Sequence, residues 1–357
     1  MTEDVGLLPE CGAPARGGPR RRRVRLFVAL CAACLITAGV SLRLAALRWE
    51  SAVARAPIAQ AGEDLRGWWE RPTLVFSSLA SGPSFGAVAL APLGTADGAR
   101  VLTALHCQRV HAAAGRGLCL EANLAAETYT ASSFDADFRV EHTWEGAGLP
   151  SRTRVSPDGR YGAITVFVAG DSYAEGSFST RTTLLDLTTG GALAELEQFS
   201  VWRDGSRVEA SNFNFWGVTY ARDSNRFYAT LATGTTTYLV EGDVQRRQVR
   251  IVYEGVECPS LSPDGTRLAF KKRLGPFEWR FHILDLTTLA DTPLSAETRS
   301  IDDQPEWLDN TRIAYGYIDS VGQPDVAANV WVLAVDQTDP PRILVHGATS
   351  PAALRGS

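Results

Sequence analysis

The sequence predicts an all-β fold, a six-bladed β-propeller preceded by one N-terminal transmembrane helix. Three observations carry that reading. A turn sequence recurs, "SPDG" at 156–159 and again at 262–265; from residue 72 the chain is written in short apolar alternations; and five arginines stand directly before a long uncharged run.

The N-terminus reads "GGPRRRRVRLFVALCAACLITAGVSLRLAAL", with Arg20 to Arg23 and Arg25 ahead of the 17 uncharged residues Leu26 to Leu42. At 1.5 Å per residue such a helix approaches the ~30 Å hydrocarbon core of a bilayer, and a snorkelling Arg43 extends it. The positive-inside rule then keeps residues 1–25 in the cytoplasm and sends the remainder outside. The small residues "AVA" at 52–54 offer a rival reading as a cleaved signal peptide, but they lie past Arg43, Arg48 and Glu50. The expected organisation is a basic tail (1–25), a signal anchor (26–43), a stalk (44–71) and a propeller (72–357). In the stalk Trp49 suits the bilayer interface, whereas Trp68 and Trp69 suit the edge of the folded body.

Cysteine usage fits an extracytoplasmic body. Cys11 falls in the tail and Cys31 and Cys34 in the span, leaving Cys107, Cys119 and Cys258 outside. An oxidising compartment permits disulfides, and Cys107 and Cys119 flank a glycine-containing turn 12 residues apart, a plausible hairpin staple, with two separate thiols as the alternative. Cys258, beside Pro259, reads as a core thiol. Residues 51–357 carry 27 basic and 36 acidic side chains. A body of that sign is a poor match for a row of phosphates, so nucleic acid is not expected as a partner.

Beyond residue 72, "TLVFSSL", "SFGAVALAPL", "RVLTAL", "RYGAITVFVAG" and "TRTTLLDLTTGG" place strands at a spacing of roughly 8 to 12 residues. Aligned on the aspartate, "SPDGRYGAI" at Asp158, "ARDSNRFYA" at Asp223, "SPDGTRLAF" at Asp264 and "WLDNTRIAY" at Asp309 form four copies, 65, 41 and 45 residues apart. Proline fixes φ at the second turn position, aspartate bonds nearby N–H groups, and glycine accepts positive φ, so the motif is a tight connection between two antiparallel strands. Each copy is followed by further strands, such as "LLDLTT" and "ILDLTT". A period of ~40 to 50 residues with four strands is the mark of a propeller, and the length from 72 to 350 allows about six blades.

These residues resemble the TolB-like six-bladed propellers, whose repeats carry an SPDG turn, an apolar strand and an LDL-like strand. The likeness is specific over about 150–350, above all in "ECPSLSPDGTRLAFKKR" with "WRFHILDLTT" and in "DDQPEWLDNTRIAY", and faint over 72–150. The periplasmic TolB protein of Tol–Pal systems has an N-terminal α/β domain where this chain has only the stalk, so membership in such a machine does not carry over.

The sequence offers little catalytic chemistry. His106, His111, His142, His282 and His346 form no metal-binding spacing, and His282 in "WRFHILDL" reads as a strand residue packed between blades. "GPSFG" at 82–86 fits GxSxG around Ser84, but a strand follows where a nucleophile elbow needs a helix. Propeller peptidases append an α/β-hydrolase domain, and none is expected between the last blade and Ser357. Asp302 and Asp303 read as a solvated loop before a strand. No catalytic residue, metal or cofactor is expected.

The expected function is non-enzymatic: a tethered monomer that engages an envelope protein or peptide. The alternative is a metal-dependent, lactonase-like hydrolase or lyase acting in the channel. The expected contact surface lies opposite the SPDG turns, on the long loops 169–181, 202–217, 271–279 and 316–328. Trp216, Phe277 and Trp279 are the aromatic anchors, and Lys271, Lys272 and Arg273 form a positive cluster.

Overall fold

In the computed structural model the residues described are 18–53, 58–59, 64–80, 84–95, 100–168, 179–319 and 327–356. The chain divides into two compact units, Met1–Trp49 and Glu50–Ser357.

The first unit holds most of a single helix, Gly18–Val53, of 36 residues. Phe27, Val28, Leu30, Leu35, Ile36 and Val40 project from it, all exposed. Among the described residues no helix is long and apolar enough to cross a membrane. The side chains of Leu26 and Leu42, which bound the uncharged run, lie outside those described, as do Cys11 and the side chain of Trp49.

The second unit is a ring of six antiparallel sheets. Blade two comprises Arg109–Ala113, Arg116–Asn123, Thr128–Phe134 and Val140–Ala147, running from the axis outward. Blade three comprises Leu149–Val155, Tyr161–Val168, Ser179–Asp186 and Gly191–Glu195. Blade four comprises Asn214–Tyr220, Arg226–Thr233, Thr236–Asp243 and Gln248–Glu254. Blade five comprises Glu257–Leu261, Arg267–Gly275, Glu278–Asp285 and Asp291–Pro293. Blade six comprises Glu306–Trp307, Arg312–Asp319, Ala327–Ala334 and Arg342–Val345.

Blade one is assembled from both ends of the ring. Its innermost strand is Ala348–Leu354, paired with Thr73–Ser78 from Thr73 opposite Leu354 to Ser78 opposite Ala348. Ala87–Pro92 and Arg100–His106 complete it. The six innermost strands then touch in a closed circle around the axis. A close backbone approach joins blades four and five, where Gly217 has φ +66° and an added Cβ would sit 2.7 Å from the Cα of Cys258. Only glycine fits there.

The blades pack through apolar clusters. Phe199, Phe215, Tyr220 and Phe227 fill the space between blades three and four, and Phe281, Trp307, Tyr315 and Leu333 that between five and six. The two blades that the sequence shows only faintly are as complete as the others. Residues 202–217 are not the open loop expected from sequence. Ser200–Arg203 and Ser206–Val208 form a hairpin that lengthens blade four at its outer edge, by parallel pairing of Ser200–Trp202 with Gln248–Arg250.

The segment read as a stalk is also partly folded. Ile58–Ala59 pair in parallel with Arg100–Val101, and Leu65–Trp68 form a 3₁₀ turn capped by the Asp64 carboxylate on the Arg66 amide at 3.0 Å. Trp68 is buried with Val75, Leu90 and Phe134, and Arg71 stacks 3.7 Å from its ring centre. An indole this large is driven into the core by its own area.

Candidate functional site

The Asp158, Asp223, Asp264 and Asp309 turns all connect the first and second strands of a blade, on one face of the ring. In each, one carboxylate oxygen accepts backbone amides two or three residues on. Asp158 takes Arg160 at 3.0 Å and Asp264 takes Thr266 at 3.0 Å. Asp223 takes Arg226 at 2.7 Å, and Asp309 takes Thr311 at 2.7 Å. Ser156 and Ser262 each donate to their aspartate at 2.6 Å. Desolvation pushes these carboxyls up, but the hydrogen bonds outweigh it and hold all four below the usual carboxylate range. The turns also meet around the ring. The Asp264 amide donates to Asn310 Oδ1 at 3.0 Å and Arg222 Nε to the Pro263 carbonyl at 2.8 Å. These hydrogen bonds serve the turn itself or the adjoining blade.

The channel inside that face opens as a funnel of about 680 Å³, walled in part by Pro157, Tyr220, Pro263 and Leu354. It ends on a buried ionic cluster. Glu306 pairs with Arg154, stands 3.7 Å from His111 Nε2 and 3.6 Å from Arg355, and accepts the Ala353 amide at 3.3 Å. Burial alone would raise the Glu306 carboxyl, but Arg154, His111 and Arg355 together hold it well below the usual range. His111 Nδ1 accepts the Val155 amide at 3.1 Å, which leaves the proton on Nε2, toward Glu306. Burial, and then Arg154, push this histidine down, so it is neutral near pH 7.

Beyond the cluster the channel narrows to a cavity of about 30 Å³ among Arg109, Arg152, Arg154 and Asp303, room for one or two waters. Asp302 and Asp303 do lie in a loop before a strand, as expected from sequence, and the Asp302 side chain is exposed, but Asp303 is not solvated. Asp303 is buried, accepts the Gly316 amide at 2.7 Å and faces Arg109 at 3.7 Å. Asp302 pairs with Lys271 and lies 3.8 Å from Arg152. Neither residue belongs to a strand, so the alternation that would set them on opposite faces does not operate.

The aromatic and cationic candidates divide sharply. Trp216, 6% exposed, is an inner-strand residue rather than a surface anchor. Lys271, 3% exposed, is spent on Asp302 and lies 5.0 Å from the Trp279 ring centre. Arg273 Nε pairs with Glu257 at 2.8 Å, and Trp279 Nε1 donates to the same carboxylate at 3.1 Å. Lys272 pairs with Asp291 at 2.5 Å, and that carboxylate also meets His282 Nδ1 at 2.6 Å. The positive cluster expected from "KKR" is thus neutralised. Strand alternation sends Lys271 and Arg273 one way and Lys272 the other, each onto an acidic group the sequence leaves far away. Phe277 alone stands free in solvent, 85% exposed at the tip of the Arg267–Gly275 to Glu278–Asp285 hairpin, next to the exposed Leu274.

Phe277 has company that sequence reasoning missed. Phe85 of blade one, Leu124 of blade two (72% exposed) and Ile318 of blade six are exposed at the same connection, between second and third strands. Blades five, six, one and two are neighbours in the ring, so these side chains form an arc on the face opposite the aspartate turns. The period itself held the signal, since each lies at or just past the end of the second strand of its repeat.

Ser84 is buried in a turn before the strand Ala87–Pro92, and no helix follows. Cys107 and Cys119 form a disulfide, tying the entry of blade two to its second strand, and Cys258 is buried and free. Among the described residues no three His, Cys, Asp or Glu side chains are grouped to hold a metal ion. The expected contact loops at 169–178 and 320–326 lie outside the described residues.

No protein-family model matches the sequence, and no curated protein sequence matches it. Among solved structures, TolB from Acinetobacter baumannii aligns with a TM-score of 0.54 at 16% identity, over 80% of this chain and 67% of that one. The nidogen/laminin complex aligns with a TM-score of 0.51 at 10% identity, over 80% of this chain and 99% of that one. At these identities the likeness speaks for architecture and not for activity. The likeness and the ring of six sheets together show a six-bladed propeller fold, similar to that of TolB.

Proposed function

We propose that this propeller is a non-enzymatic, extracytoplasmic binding protein, tethered by its N-terminal helix, that docks a protein of the cell envelope on the face opposite its aspartate turns. The observation that carries the reading is the arc of Phe85, Leu124, Leu274, Phe277 and Ile318 over four adjacent blades. The turn face displays only Val140 and Leu289 in that class among the described residues. Large apolar groups concentrated on one face are characteristic of interaction surfaces, and aromatic anchors dominate their energetics. The charges beside the arc, Lys272 with Asp291 and Arg273 with Glu257, are already paired, so contact there is apolar rather than ionic.

The tether rests on the sequence: 17 uncharged residues behind five arginines. The disulfide supports an oxidising compartment. A photo-crosslinking amino acid placed at Phe277 in intact cells is expected to capture one discrete partner, and the same probe at Leu289 is not. Equal capture at both positions, or at neither, refutes the loop-face reading. Release of the chain from membranes by carbonate, or a mature start beyond Val53, refutes the tether.

A further inference from the structure

The channel walls carry more positive charge than they can neutralise. Around the narrow cavity stand Arg109, Arg152 and Arg154 against Asp303 and Glu306, with His111 neutral, an excess of one cation. Lys271 and Asp302 cancel one another at the rim. Glu306 is committed to Arg154, and one Asp303 oxygen to the Gly316 amide.

That leaves two guanidinium groups poorly served. The Arg109 guanidinium makes no hydrogen bond among the described residues; its nearest carboxylate is Asp303 at 3.7 Å, and its Nε is buried without a partner. Arg152 Nη1 donates to the carbonyl of its own neighbour Ser151 at 2.8 Å. Its Nη2 lies 3.4 Å from the Asp302 carbonyl and 3.8 Å from the Asp302 carboxylate, and its Nε is buried without a partner. Burial pushes its pKa down, but Cys258, Asp303 and Asp302 outweigh that, so the shortfall at Arg152 is in hydrogen bonds and the shortfall in charge lies at Arg109. Burial and then repulsion from Arg152 hold the Arg109 pKa below its ordinary value. An uncompensated charge in a low-dielectric wall costs several kcal/mol, and a fixed counter-ion removes that cost.

We propose that the cavity between Arg109, Arg152 and Arg154 binds a single monovalent anion. With room for one or two water-sized species, the cavity accommodates a single chloride-sized ion. The cavity shares His111, Arg154 and Glu306 with the wide funnel, so the same charge can also be met by a carboxylate at the end of a chain entering from the turn face. This inference rests on the channel alone and is independent of the loop-face partner.

The test uses the full-length chain in detergent. Melting temperature is compared in sodium chloride, sodium bromide and sodium gluconate at equal ionic strength, together with the excess ³⁵Cl NMR line width. The halides are expected to raise the melting temperature above that in gluconate, and Arg109→Gln to weaken chloride binding by about tenfold or more, equivalent to about 1.4 kcal/mol. In gluconate the variant should melt no lower than the parent, because the repulsion with Arg152 is gone. Arg152→Gln provides the same readout should Arg109→Gln fail to fold. Displacement of the ³⁵Cl signal by a short peptide with a free terminal carboxylate, but not by its amide, assigns the site to a chain end; no displacement by either assigns it to the free ion. Identical melting in the three salts, or line broadening unchanged in both variants, overturns the proposal.

Discussion

Glu306 and Glu197 show how two buried carboxyls acquire opposite character. Glu306 is ringed by Arg154, Arg355 and the His111 N–H, which keep it ionised. Glu197, in the 3₁₀ turn Leu196–Gln198 between blades three and four, has no salt bridge among the described residues. Its two oxygens share the Thr182 amide at 3.1 and 3.2 Å. Burial raises it to about 8, and the backbone amides offset only part of that. Because the folded value exceeds the unfolded one, its contribution to stability is fully present below about pH 4.5 and is lost as pH rises through about 8. Glu197→Gln should flatten the fall in melting temperature across that window, and parallel curves for parent and variant would show that another group titrates there.

At the scale of elements, the disulfide and the aspartate turns do related work at opposite ends of the blades. Cys107 to Cys119 closes a short loop around the first hairpin of blade two. Replacing both cysteines by alanine should cost about 2 to 3 kcal/mol, from the loop entropy returned to the unfolded chain. Urea denaturation would measure it, and an unchanged midpoint would show the hairpin to be held by packing alone. The turns were legible in the sequence because Ser-Pro-Asp-Gly encodes its own backbone path, and the aspartate keeps its bonds where proline and glycine are replaced by Arg222 and Ser224, or by Leu308 and Asn310. Blades one and two were not legible. Their turns lack the motif, and one of their inner strands, Ala348–Leu354, is contributed from far along the sequence. The fate of "KKR" was likewise hidden, since Asp302 reaches Lys271 from the connection between blades five and six, and Glu257 reaches Arg273 from the neighbouring strand of blade five. The exposure of Phe277, at a hairpin tip, follows from its local context, because no partner strand or distant charge is needed to place it.

For the whole molecule, closure depends on one seam. Thr73–Ser78 is buried along its entire length, and its inner partner is Ala348–Leu354. Deleting residues 348–357 removes that partner and one wall of the channel. The expected outcome is loss of the cooperative melting transition with binding of a hydrophobic dye; a sharp transition at the parental temperature would show the ring to be stable while open. The seam also places closure late in the life of the chain. Synthesis proceeds at about 5 to 20 residues per second, so the strand "TLVFSS" emerges on the order of tens of seconds before the strand that will cover it. An uncharged, β-prone edge left bare for that interval is an invitation to pair with a neighbour. The period of greatest self-association hazard therefore precedes completion of the ring, and yield should respond to whatever shields nascent chains more than to the stability of the finished protein.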